Sequence, residues 1–152
     1  MARWLVARHL LWAQCGVHLD SGLNNWQIFK DHIDGHDGTY KNFEKLKSVA
    51  TGMHQACQSK EWGNFGRLFD DEFLARTGLS KVFTSPEIER LRKIGIQAGA
   101  EALKICGAGG GGCAFLWAPA EKRDGVEKEC RQAGFQVLQA KPTRAGLEIK
   151  TV

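Results

Sequence analysis

The sequence predicts an α+β domain with helices first and a mainly antiparallel sheet after them, and three observations carry that prediction. From Asn25 to Ala102 apolar residues recur at helical spacing. From Leu103 onward they gather into short β-branched or aromatic runs bounded by turn residues, and one charge-dense stretch, Ala120 to Ala133, separates the second run from the third. That order of elements suggests a plait with helices on one face of the sheet. A length of 152 residues suits one core, and a composition 43% hydrophobic and 25% charged excludes a disordered or fibrous chain.

The first segment is the least determined. Met1 to Gln14 is rich in Trp and free of acids, and the apolar run Leu5 to Val17 fits a strand or a short helix. Domain organisation is therefore read as an uncertain segment, 1–14, followed by one domain, 15–152. A helix from Asn25 to Ile33 carries Trp26, Phe29 and Ile33 at i, i+3, i+7, an aromatic stripe read as core. After the break Asp34-Gly-His-Asp-Gly38, Phe43, Leu46, Val49, Ala50, Met53 and Cys57 mark one face of a helix of about four turns. Trp62, Phe65, Phe69 and Phe73 mark a third helix. Ser85-Pro-Glu87 starts a fourth, since Ser caps, Pro suits the first turn and Glu favours the N-terminus. Its inner face reads Ile88, Leu91, Gly95, Ala98, Gly99 and Ala102, small residues that permit close packing. Strands are expected at Leu103–Cys106, Cys113–Trp117, Phe135–Ala140 and Leu147–Val152.

Charge and cysteine usage narrow the function classes. The net charge of +4 loses half its excess once Arg3 and Arg8 are set aside, and the remaining signs are interspersed, so no nucleic-acid surface is expected. Five cysteines without a CxxC pair read as reduced thiols. No apolar run reaches the roughly 20 residues of a membrane span, and Arg8 and His9 interrupt the one signal-like stretch. The chain is read as cytoplasmic, with no membrane partner.

The chemistry concentrates in Gly107-Ala108-Gly109-Gly110-Gly111-Gly112, five glycines in six residues. Each glycine costs about 0.5–1 kcal/mol where ordinary backbone would serve. The gains that offset this are positive φ angles and close approach of a ligand or another backbone to bare N–H donors, an anion nest. Gly107, Gly109 and Gly112 satisfy GxGxxG, but a dinucleotide fold needs a helix next, and Cys113-Ala-Phe-Leu-Trp117 reads as a strand. A Walker A loop fails because Cys113 and Ala114 stand where Lys and Ser or Thr belong. Strand, glycine loop, strand remains, with a bare hairpin loop as the bland alternative.

That arrangement, Lys104-Ile-Cys-Gly-Ala-Gly-Gly-Gly-Gly112-Cys-Ala-Phe preceded by helices, resembles the third motif of the GHMP kinases, the family of galactokinase, homoserine kinase, mevalonate kinase, phosphomevalonate kinase and related sugar and heptose-phosphate kinases. The resemblance covers Cys15 to Val152, and Ser21-Gly-Leu-Asn-Asn-Trp26 looks more like the sugar-kinase branch. It implies a ferredoxin-like plait as in the C-terminal domain of these kinases. It also implies ATP and Mg²⁺ as cofactors, a small-molecule sugar or sugar phosphate as substrate, and a site shared between two domains. The N-terminal domain would carry the main phosphate loop, PxxxGxGSS, and bind most of the nucleotide and metal. Gly107, Ala108, Gly109, Gly110, Gly111 and Gly112 would line the phosphate site beside it.

The 152 residues hold no PxxxGxGSS run, so the resemblance implies that this half lacks its N-terminal kinase domain and is inactive alone. Without that partner, self-association through apolar residues of the first helices is expected. A stand-alone ligand-sensing or protein-association module is the alternative from another class. On the substrate side, Ser21, Asn24 and Asn25 either cap the first helix or reach a sugar hydroxyl, and Lys104 either adds charge near a phosphate or is the exposed member of an alternating strand. No catalytic residue is assigned and no metal ligand. His32 with His36, and His18 with Asp20, read as solvated; Asp70-Asp71-Glu72 reads as a solvated helix face. Cys106 and Cys113 read as small strand residues.

Overall fold

The computed structural model describes residues 7–16, 22–107, 109–140 and 146. In chain order come β1 (Leu10–Gln14), α1 (Gly22–Ile33), α2 (Asp37–Ser59), a 3-10 turn (Trp62–Asn64), α3 (Phe65–Leu79), a second 3-10 turn (Lys81–Phe83), α4 (Pro86–Ala98), β2 (Ala102–Ile105), β3 (Cys113–Trp117), α5 (Arg123–Gln132) and β4 (Gln136–Leu138). The strands form one sheet, ordered β2-β3-β1-β4, with every neighbouring pair antiparallel.

The apolar run near the N-terminus resolves as an inner strand. β1 pairs along its whole length with β3, from Leu10 opposite Trp117 to Gln14 opposite Cys113, and its last three residues pair with β4. Because β1 is buried on both sides it reads as a continuous apolar run rather than an alternating one.

Helices cover both faces of the sheet, not one. Leu11, Ala13, Leu103, Ile105, Ala114 and Leu116 pack against Ile88 and Leu91 of α4 and Val126 and Cys130 of α5. On the opposite face Leu10, Ala102 and Trp117 meet Val49 and Ala56 of α2 and Phe65 and Leu68 of α3. Aromatic rings fill that second layer: Phe69 stands edge-on to Phe115 at 5.0 Å and Phe65 stacks on Trp117 at 5.5 Å. Strand residues of both parities are apolar in Cys113-Ala-Phe-Leu-Trp117, and that pattern requires cover on both sides.

Several elements depart from the sequence expectation. The stripe on α1 is not core: Trp26, Phe29 and Ile33 are 72%, 57% and 81% exposed, and Ile28 is the buried residue there. Helical spacing reports that a helix is amphipathic, not what covers it. α2 runs 23 residues, longer than about four turns; Ala50 and Cys57 are exposed, and the buried seam falls on Val49 and Ala56. Trp62 lies in the 3-10 turn ahead of α3.

α4 begins as expected, with Ser85 Oγ accepting from the Ile88 amide at 3.3 Å and Pro86 in the first turn. It ends at Ala98, because Gly99 turns left-handed at φ 108° and its amide caps Gly95 and Ile96, so Ala102 already belongs to β2. β4 spans three residues rather than Phe135–Ala140, with Phe135 buried just before it. The strand expected at Leu147–Val152 lies outside the described residues.

Candidate functional site

β2 and β3 form a hairpin whose bend is the glycine run. The pair Ile105 opposite Ala114 ends the ladder, and the Cys106 amide donates to the Cys113 carbonyl at 3.0 Å across the neck. Strand, glycine bend and strand therefore stand in sequence, with no helix following. Gly107, Gly109, Gly110 and Gly112 all take positive φ, at 71°, 86°, 71° and 75°. A residue with a Cβ would strain at each by about 1–2 kcal/mol. Ala108 lies outside the described residues.

The bend is held against the protein's own backbone. The Gly110 amide donates to the Phe83 carbonyl at 3.0 Å, and the Gly112 carbonyl accepts from the Cys15 amide at 2.6 Å. A Cβ at Gly109 would stand 2.7 Å from the Phe83 oxygen and 2.9 Å from its Cα. One glycine gain anticipated for a ligand is thus used internally, to seat the bend on the 3-10 turn before α4. Gly109, Gly110 and Gly111 are buried; Gly107 is exposed, with open space where its Cβ would project.

Lys104 is not the exposed member of an alternating strand. It is half-buried, its Nζ donating to the Ile105 carbonyl at 2.5 Å and lying 3.3 Å from Glu72 Oε1. The acidic run of α3 is likewise not a solvated face. Asp71 pairs with Arg67 at 2.9 Å and Asp70 with Arg92 at 2.6 Å, whereas Glu72 is only 7% exposed. Glu72 Oε1 accepts from Arg76 Nε at 2.7 Å and lies 2.6 Å from Arg76 Nη2. The three acids do point in different directions, and one direction is inward. Glu72, Arg76 and Phe83 were missed from sequence. The signal lay in the spacing, since Glu72 follows Phe69 by three and therefore shares the core side of α3.

Ser21, a substrate-side candidate, lies outside the described residues, as do His18 and Asp20. Asn24 and Asn25 fall inside the first turn of α1 rather than at its cap, and Asn25 is exposed. No hydrogen bond joins α1 to the glycine bend among the described residues. His32 stacks on Tyr40 at 5.9 Å, and among the described residues no group of three or more His, Cys, Asp or Glu is arranged to hold a metal. Burial raises the Cys106 thiol, which donates weakly to the Lys104 carbonyl at 3.8 Å. A polar groove of about 440 Å³ between α2 and α3, lined by Lys47, Ser48, Arg67 and Asp71 among others, is built from other residues than the bend.

The family model described as GHMP kinases C terminal matches residues 53–136, from within α2 to the first residue of β4, and the glycine bend lies inside the match. The chain belongs to this family. Among curated proteins it is similar to the D-glycero-alpha-D-manno-heptose 7-phosphate kinase of Campylobacter jejuni, 25% identical over 122 residues that cover 78% of this chain. It spans 36% of that protein's length, about a third. Among solved structures, L. major mevalonate kinase in complex with R-mevalonate superimposes with a TM-score of 0.72 at 17% identity, covering 82% of this chain and 38% of that one. Streptococcus pneumoniae phosphomevalonate kinase in complex with phosphomevalonate and AMPPNP gives 0.69 at 17% identity, covering 85% and 37%. These likenesses show a shared fold, the α+β plait of GHMP kinase C-terminal domains.

Proposed function

We propose that this chain is the C-terminal part of an ATP-dependent kinase acting on a sugar or sugar phosphate, with Gly107–Gly112 as one wall of the phosphate site. The observation that carries the reading is the glycine hairpin: a run of left-handed glycines between two antiparallel strands, inside a family match, in a chain similar to a heptose 7-phosphate kinase. When bound, ATP would supply the transferred phosphoryl group.

The residues of this chain fit part of that assembly. Bare backbone at Gly107 leaves room for a phosphate oxygen. Lys104 and Arg76 outnumber the single Glu72 between them, which leaves one net positive charge beside the bend. They do not fit Mg²⁺ alone, since the described residues offer no three-ligand cluster. The metal's ligands, and a PxxxGxGSS loop absent from these 152 residues, would come from an N-terminal kinase domain. Phosphoryl transfer depends on positioning and charge stabilisation around the γ-phosphate, so this chain by itself supports no turnover.

NMR titration of the chain with MgATP, alone and mixed with a separately produced GHMP N-terminal domain, tests the reading. Saturable shifts at the Gly107–Gly112 amides, strengthened by the second domain, are expected. Turnover of a sugar by the 152-residue chain alone would refute the division of labour, and silent bend amides in the mixture would refute the site. Without that domain, the exposed apolar face of α1 supports self-association of the chain.

A further inference from the structure

The geometry points to Glu72 as a positioning residue for the glycine bend, a role that rests on reading the bend as a phosphate-site wall. Glu72 lies on α3, outside the bend, yet its buried carboxylate connects to both supports of that bend. On one side Lys104 Nζ bridges Glu72 Oε1, at 3.3 Å, and the carbonyl of Ile105, the last residue of β2 before the neck. On the other, Arg76 binds the same oxygen through Nε and Nη2 and lies over the Phe83 ring, 5.7 Å from its centroid. Phe83 in turn presents the carbonyl that accepts from Gly110. One carboxylate oxygen therefore ties down the strand that enters the bend and the turn on which the bend rests.

The energetics argue that this arrangement serves geometry more than stability. A buried ion cluster often contributes less than well-packed apolar residues of the same volume, because desolvation offsets its attraction, whereas removing one member leaves the others uncompensated. Glu72 is placed where both cations meet one oxygen while Oε2 is buried without a partner among the described residues. A chain that needed only cohesion could do without that orphaned oxygen. The cluster fixes the direction of Lys104 and the seat of Phe83, and with them the path of the bend.

Native-state hydrogen exchange followed by NMR on the ligand-free chain tests this directly. In Glu72→Gln the amides of Gly109, Gly110 and Gly111 are expected to exchange at least about tenfold faster relative to Leu91 of α4 and Leu116 of β3, which track global unfolding. Glu72→Gln combined with Lys104→Met removes the anion and the tie to Ile105 together while leaving no uncompensated lysine, and is expected to leave the bend as loose as the single variant does. Should Glu72→Gln fail to fold, Glu72→Asp keeps the charge, shortens the reach and is expected to loosen the bend by a smaller factor. Bend amides that change only in step with Leu91 and Leu116, or a double variant that regains the wild-type protection of the bend, would overturn the proposal. MgATP titration of the wild-type chain mixed with the N-terminal domain separates the two readings. Absent shifts there with a loosened bend in Glu72→Gln refute the phosphate site and leave the positioning intact. Shifts there with an unchanged bend in Glu72→Gln refute the positioning alone.

Discussion

Gly109 is glycine for two reasons that substitution can separate. Its φ of 86° and the 71° of Gly107 impose similar backbone strain on any residue with a Cβ. At Gly107 the added methyl meets nothing within 4 Å, whereas at Gly109 it meets the Phe83 backbone at 2.7 Å. Gly107→Ala is expected to cost about 1–2 kcal/mol in urea unfolding, and Gly109→Ala at least about 1 kcal/mol more. Equal losses would mean that the seat on Phe83 contributes nothing. The buried thiols make a second prediction at this scale. Burial pushes Cys15 up to about 12 and Cys130 up to about 11 from an ordinary 9.0, so the unfolded chain releases these protons first. Their contribution is complete below pH 9 and declines as pH climbs toward 11 and 12. Unfolding free energy should therefore fall across that window, and Cys130→Ala should flatten the slope, its packing loss being independent of pH. A slope unchanged by the substitution would contradict the assignment.

At the scale of elements, α4 lies close against β3 at Gly95. A Cβ on Gly95 would stand 2.6 Å from Leu116 Cδ2, and Leu116 is wholly enclosed by core. Gly95→Ala gains about 1 kcal/mol of helix propensity but overpacks a site that has no slack, at about 1–3 kcal/mol. A net loss of stability is expected in thermal or urea melts, with Leu116→Val in the same chain recovering part of it; a stabilised Gly95→Ala would show the interface is looser than drawn. α4 was readable because its signals are local: the Ser85 cap, Pro86, and Ile88 and Leu91 at helical spacing. The glycine hairpin was readable for the same reason. β1 stayed open between strand and helix, since its four apolar residues become a strand only by pairing with Cys113–Trp117, about a hundred positions away. Glu72 was hidden similarly, its partner Lys104 being set by how β2 docks on α3. The expectation of helices on one face passed over the apolar residues of both parities in Cys113–Trp117, which go with burial on two sides, and the helix stripes could not say which of them would be left uncovered.

The uncovered stripe belongs to the molecule as a whole. Trp26, Phe29 and Ile33 present one apolar face on α1. Burying each fully is worth about 1.5–3 kcal/mol, and two copies meeting face to face would bury six such side chains. Association costs an estimated 4–15 kcal/mol in lost freedom, and side chains at a helix surface bury only in part. The two terms are of similar size, so the expected outcome is a weak symmetric dimer at most. Sedimentation equilibrium over a concentration series reaching about 1 mM should show a weight-average mass rising with concentration. Trp26→Ser with Ile33→Ser should hold the chain monomeric while leaving its circular dichroism unchanged, because neither side chain contributes to the two buried layers of the sheet. A wild-type chain that stays monomeric at the highest concentration would remove self-association. A double variant that still dimerises would move the contact away from α1.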